Sequence, residues 1–149
     1  MKYRLTMAAI AALLTATSAL ALDDAGRTNL IESLVRVESN GRSGLVGDSG
    51  KAYGILQVHP EMVREANRIS HKAYTHEDMF DARKAREVAY IVLSHYDAHI
   101  NQVTGHTATA KQLSFIWNGG GASWKRVQSP RNDSKQNNLE KYWSKVSSR

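Results

Sequence analysis

No cysteine occurs anywhere in this chain, yet its first residues carry the pattern of an export leader. Lys2 and Arg4 form a short positive region, Met7 to Leu20 is a run of apolar and small residues, and Ala19-Leu20-Ala21 offers small residues for cleavage just before Asp23-Asp24. Residues 1–21 are therefore expected to be a removed secretion signal and 22–149 the mature domain, because the apolar run is short for a retained membrane span. Small exported domains commonly lean on disulfides. One without them has to be held by packing, so a helix-rich apolar core is expected, and thiol catalysis and thiolate metal sites are excluded.

The apolar spacing supplies such helices. Leu30, Ile31, Leu34, Val35 and Val37 recur at near-helical intervals, Asp23 or Asp24 is available as N-cap, and Asn40-Gly41 suits a left-handed stop, which predicts a helix from Asp24 to about Glu38. Residues 41–52 are crowded with glycine and serine, a turn signature, and Tyr53 to Val58 reads as a short strand closing a hairpin. Pro60 fits the first turn of a helix to about Ile69. After a polar loop from Ser70 to Asp78, the longest helix is expected from Asp81 to about His99, with Val88, Ala89, Ile91, Val92, Leu93 and Tyr96 on its apolar face.

A further helix starts near Thr107 or Thr109 and is stopped by Gly119-Gly120-Gly121. The last, about Ser134 to Val146, sets Leu139, Tyr142, Trp143 and Val146 on one side, with Gln128 to Asn138 read as a polar loop. The predicted class is mainly α (α+β), a single helical domain with a small β-hairpin beside a cleft.

A formal net charge of +6 favours anionic partners. Among nucleic acid, acidic lipid and anionic wall polymer, the export signal favours the last. Lys125, Arg126 and Arg131 make a modest basic patch without the aromatic platform of a nucleic-acid binder. His95 and His99 are four apart but lack the glutamate a helical zinc hydrolase carries between them, and His71 and His76 fall in a loop, so no metal site is expected. Esterase, P-loop and dinucleotide fingerprints are missing from the sequence, and no organic cofactor is expected.

Two carboxylates stand ten positions apart across the turn-rich loop, Glu38 and Asp48. Cleaving a glycosidic bond takes one carboxylic acid to protonate the leaving oxygen and often a second carboxylate across the sugar. Glu38, near a helix C-terminus and beside valines, is placed to have a raised pKa; the alternative is a solvated glutamate at a helix end. Asp48, flanked by Ser49 and glycines, suits a nucleophile, a base for water or an electrostatic partner, or else is a turn aspartate bonding its own backbone. Gln57 suits sugar hydroxyls or, equally, the loop backbone. Asn118 and Gly119 end a helix where backbone can approach a ligand closely. Tyr53, Trp117, Trp124, Tyr142 and Trp143 are candidates for stacking on sugar rings, with Trp143 and Tyr96 assigned to the core.

Glu38-Ser39, then Gly54-Ile55-Leu56-Gln57, then Trp117-Asn118-Gly119-Gly120 resemble the three-part signature of the lysozyme-like superfamily, shared by lytic transglycosylases and goose-type lysozymes. The likeness is closest to the invertebrate-type, destabilase-like lysozymes once Asp48, Leu93 to Tyr96, Ser114 to Gly120 and Tyr142-Trp143-Ser144-Lys145-Val146 are included, so that it spans about residues 30–147. The chain departs from that family in having no disulfides, in Trp117 where the family has histidine, and in a longer segment after Gly121.

The resemblance implies Glu38 as catalytic acid and Asp48 as second carboxylate, with Ser39, Ser49, Tyr53, Gln57, Asn118 and Gly119 on the substrate. It implies a muramidase acting on peptidoglycan glycan strands in the periplasm or beyond, as a monomer, with an envelope-machinery or inhibitor partner left open. Two alternatives stand beside it: a lytic transglycosylase that uses Glu38 alone and forms anhydro products, and a non-catalytic wall-binding protein on the same scaffold.

Overall fold

A computed structural model of the chain describes residues 22–148, and the expected leader lies outside them. The described residues form six helices and one two-stranded sheet, a mainly helical architecture with a small antiparallel hairpin. Helix α1 spans Asp24–Ser39; Asp23 caps it by accepting from the Gly26 amide at 2.7 Å, and Asn40, at φ 52°, turns the chain out of it. Strands β1 (Val46–Gly47) and β2 (Ala52–Tyr53) pair antiparallel with Val46 opposite Tyr53, joined by a 3₁₀ turn at Asp48–Gly50. Helix α2 covers Pro60–Ser70, α3 Ala82–Thr104, α4 Ala110–Gly119, α5 Lys125–Gln128 and α6 Ser134–Ser147.

The core lies where α1 meets α3, α4 and α6. Leu30, Ile31, Leu34 and Val35 from α1 close on Val88, Ala89, Val92 and Leu93 from α3, on Leu113 and Ile116 from α4, and on Tyr142 and Val146 from α6. Burying an aliphatic side chain of this size stabilises by about 1.5–3 kcal/mol, which is how a cysteine-free chain is held. A buried ion pair crosses this packing. Arg27 of α1 meets Asp97 of α3 at 2.6 Å, and the same carboxylate accepts the Ala108 amide at 2.7 Å.

Four expectations are corrected. Residues 54–57 are a turn and not a strand: Gly54 (φ 74°) and Gln57 (φ 47°) reverse the chain, and Tyr53 and Val58 bond each other's backbone across it. Gly54 is required there, since a Cβ would stand 1.9 Å from the Met79 carbonyl oxygen. Helix α3 runs past His99 to Thr104, because Ile100 is still buried and the left-handed stop is Gly105. Helix α6 begins at Ser134 as expected, capped by Asp133, whose carboxylate accepts the Gln136 amide at 2.8 Å, so the polar loop read as reaching Asn138 ends at Asp133. Finally, α5 forms where no helix was expected, and its neighbour Trp124 is buried in the core rather than available to a sugar.

Candidate active site

The last turn of α1 delivers Glu38 to the wall of a cavity of about 490 Å³, opposite elements that arrive from three other parts of the chain. Asp48 comes from the hairpin turn, Gln57 from the 54–57 turn, and Trp117 and Asn118 from the last turn of α4. From beneath, α6 presents Tyr142, whose hydroxyl donates to Oε1 of Glu38 at 2.5 Å.

Electrostatics set Glu38 apart. Burial among apolar neighbours raises its carboxyl above the ordinary value of 4.5, and the Tyr142 hydroxyl and Trp117 side chain, both donating to it, oppose that shift in part. The Tyr142 phenol is itself pushed far above the usual tyrosine range by burial and the adjacent carboxyl, so it stays a neutral donor. A carboxyl that holds its proton more tightly than an ordinary glutamate, beside open space, suits general acid catalysis.

Asp48 is held differently. Both Asp48 (φ 46°) and Ser49 (φ 53°) occupy the left-handed region, a conformation non-glycine residues adopt only where their surroundings impose it. The Asp48 carboxylate is 62% exposed and lies 3.4 Å from Nε2 of His59. It lines the same cavity as Glu38 but faces water far more openly. Ser49 sits beside it, exposed and outside the cavity lining.

The expected substrate contacts divide. Asn118 is exposed on the cavity wall. Gln57 lines the cavity too, but its amide nitrogen donates to the Leu45 carbonyl at 3.2 Å and the Gly54 carbonyl at 2.9 Å, so it ties the hairpin to the turn. Gly47 makes room for it, for a Cβ there would come within 2.1 Å of the Gln57 oxygen and push the amide out of this position. Ser39 is buried away from the cavity; its hydroxyl donates to the Ile55 carbonyl at 2.7 Å and accepts from the Gly41 amide at 3.1 Å.

Tyr53 offers no free ring face. His76 stacks on it at 3.8 Å between centroids and Phe80 at 4.6 Å, distances too short for both to share one side. Gly119 turns its carbonyl to the Ser123 hydroxyl at 2.7 Å and to the Lys135 ammonium at 3.1 Å, and packs so closely on Ser123 and Leu139 that no side chain fits.

His59, Glu61 and Met62 also line the cavity and were not foreseen as site residues. Their one sequence signal is position: they open α2 immediately after the Gly54 to Gln57 turn. Among the described residues no three His, Asp or Glu side chains converge as a metal ion would require, and no helix is long and apolar enough to cross a membrane. No family model, curated protein or solved structure matches this chain.

Proposed function

We propose that this chain is a glycosidase of peptidoglycan, a lysozyme-like muramidase that cleaves the β-1,4 bond between N-acetylmuramic acid and N-acetylglucosamine. The observation that carries the reading is the half-buried Glu38 carboxyl, its pKa raised, on the wall of a cavity it shares with Asp48, Gln57, Trp117 and Asn118. Protonated Glu38 gives its proton to the glycosidic oxygen as the bond to C1 breaks, and positive charge develops on the sugar ring. The Asp48 carboxylate supports that charge or directs the incoming water, and the water's proton returns the site to its starting state. Trp117 and the Asn118 amide suit the faces and N-acetyl groups of the glycan. The expected leader would carry the enzyme to its substrate in the periplasm or beyond, where a cationic surface assists loading onto an anionic wall.

The exposure of Asp48 favours a second outcome on the same site. In a lytic transglycosylase the sugar's own N-acetyl group and 6-hydroxyl do the work of the second carboxylate, and an anhydro product forms. Digestion of purified sacculi with mass spectrometry of the soluble fragments tests both. Hydrolysed muropeptides with an Asp48→Asn variant that is folded and inactive support the muramidase; anhydro fragments with an active Asp48→Asn protein support the transglycosylase. Intact glycan after exhaustive digestion by wild-type protein overturns the glycosidase reading altogether.

A further inference from the structure

Asn118 lines the Glu38 cavity and also a neighbouring depression that continues over Gly119, Ser134, Lys135 and Asn138. Lys135 in turn lines a third hollow, of about 290 Å³, together with Lys125, Arg126 and Arg131. The three spaces follow one another, each sharing a residue with the next.

The last of them is cationic. Arg126 is paired with Asp133 at 2.8 Å, and the Lys135 ammonium rests on the Gly119 carbonyl at 3.1 Å. Among the described residues, Lys125 and Arg131 have neither a hydrogen-bonded nor an ion-paired side-chain partner, although both border the hollow. Like charges gathered around a concave space repel one another, and an anion seated there relieves them. The connecting depression is lined by groups that match peptide amides, the side chains of Asn118, Ser134 and Asn138.

We infer that the hollow bounded by Lys125, Arg131 and Lys135 binds the carboxylates of the peptide stem borne by N-acetylmuramic acid, while the sugars occupy the Glu38 cavity. This rests on the muramidase reading of that cavity. The stem branches from the muramoyl sugar itself, so a ligand that fills the cavity with sugar and the hollow with carboxylate is one continuous molecule. The enzyme is then selective for peptide-bearing over stripped glycan.

The test uses the double variant Lys125→Gln/Arg131→Gln, which removes charge without breaking a hydrogen bond or ion pair, at the loss of the contact of the Lys125 ammonium with the Trp124 ring at 5.7 Å; a thermal melt shows that the variant is folded. Initial rates are measured on peptide-bearing glycan and on the same glycan after enzymatic removal of its peptides. The expected result is a loss of about tenfold in kcat/KM on the peptide-bearing glycan, carried by KM with kcat unchanged, and no loss on stripped glycan. An equal loss on both substrates, which marks general attraction to the wall, overturns the inference, as does no loss on either. A separate arm titrates the catalytically disabled Glu38→Gln protein with isolated stem tetrapeptide, free or with its carboxylates amidated. Binding of the free peptide alone, weakened by the double substitution, supports the site even if wild-type protein proves unable to cut glycan; equal binding of both peptides, or of neither, contradicts it.

Discussion

The Tyr142 hydroxyl donates to the Glu38 carboxyl at 2.5 Å, joining the end of the first helix to the last across 104 residues of chain. This contact fixes where Glu38 points and also how its proton is held. The apolar surroundings press the carboxyl toward its neutral form, while the phenol steadies the charged form. Burial wins, and the net shift is upward.

That balance makes stability depend on pH. Because the Glu38 pKa is raised above the ordinary 4.5, the folded protein binds this proton more tightly than the unfolded chain. Its contribution to stability is full below that ordinary value and is lost as pH rises through the folded one. Glu38→Gln, which keeps an acceptor for Tyr142 and carries no charge, is expected to melt at a higher temperature than wild type at pH 7. The difference should vanish when both proteins are melted at pH 4 or below.

Tyr142→Phe removes a donor that favours the charged carboxylate, so the Glu38 pKa should rise further. The alkaline limb of the pH profile for kcat/KM is expected to move to higher pH, because the acid keeps its proton longer. Stability at pH 7 should fall by about 1 kcal/mol, the usual net worth of one hydrogen bond, since the half-buried carboxyl still faces the cavity. A limb that stays in place would show that the phenol does not tune the acid.

Ser39 separates a structural role from a contact with substrate. Its hydroxyl serves the Ile55 carbonyl within the protein, so Ser39→Ala should cost about 1–3 kcal/mol in chemical denaturation. Turnover measured well below the unfolding midpoint should change little. A large rise in KM with stability intact would return Ser39 to the substrate.

The helices were legible because their apolar residues recur at the helical interval and their ends carry recognisable stops. Asp23, Asn40, Pro60, Thr109 and the glycines after Asn118 all act at helix ends. The 54–57 turn was not legible as a turn, since Ile55 and Leu56 are both buried and adjacent, as they would be in a strand covered on two faces. Helix α5 is a single turn with no apolar period, and it forms because Trp124 anchors it in the core.

For the site, spacing brings Glu38, Asp48 and Gln57 together and only the resemblance adds Asn118; one cavity is lined by all four. The sequence could not assign what each side chain does there. Ser39 and Gln57 spend their side-chain polar groups on backbone carbonyls, Gly119 gives its carbonyl to the Ser123 and Lys135 side chains, and the stacking of His76 and Phe80 on Tyr53 depends on contacts between segments far apart in sequence. Nor does periodicity say that Tyr142, one of several inward residues of α6, is the one that meets Glu38.

The central claim is that Glu38 is the acid that breaks the glycan. It is tested most directly by the rate at which purified sacculi yield new reducing or anhydro ends with wild-type protein and with Glu38→Gln, each shown to be folded. A loss of about 10²-fold or more in the variant is predicted, as for removal of a general acid. A variant that retains activity within a few-fold of wild type would contradict the account.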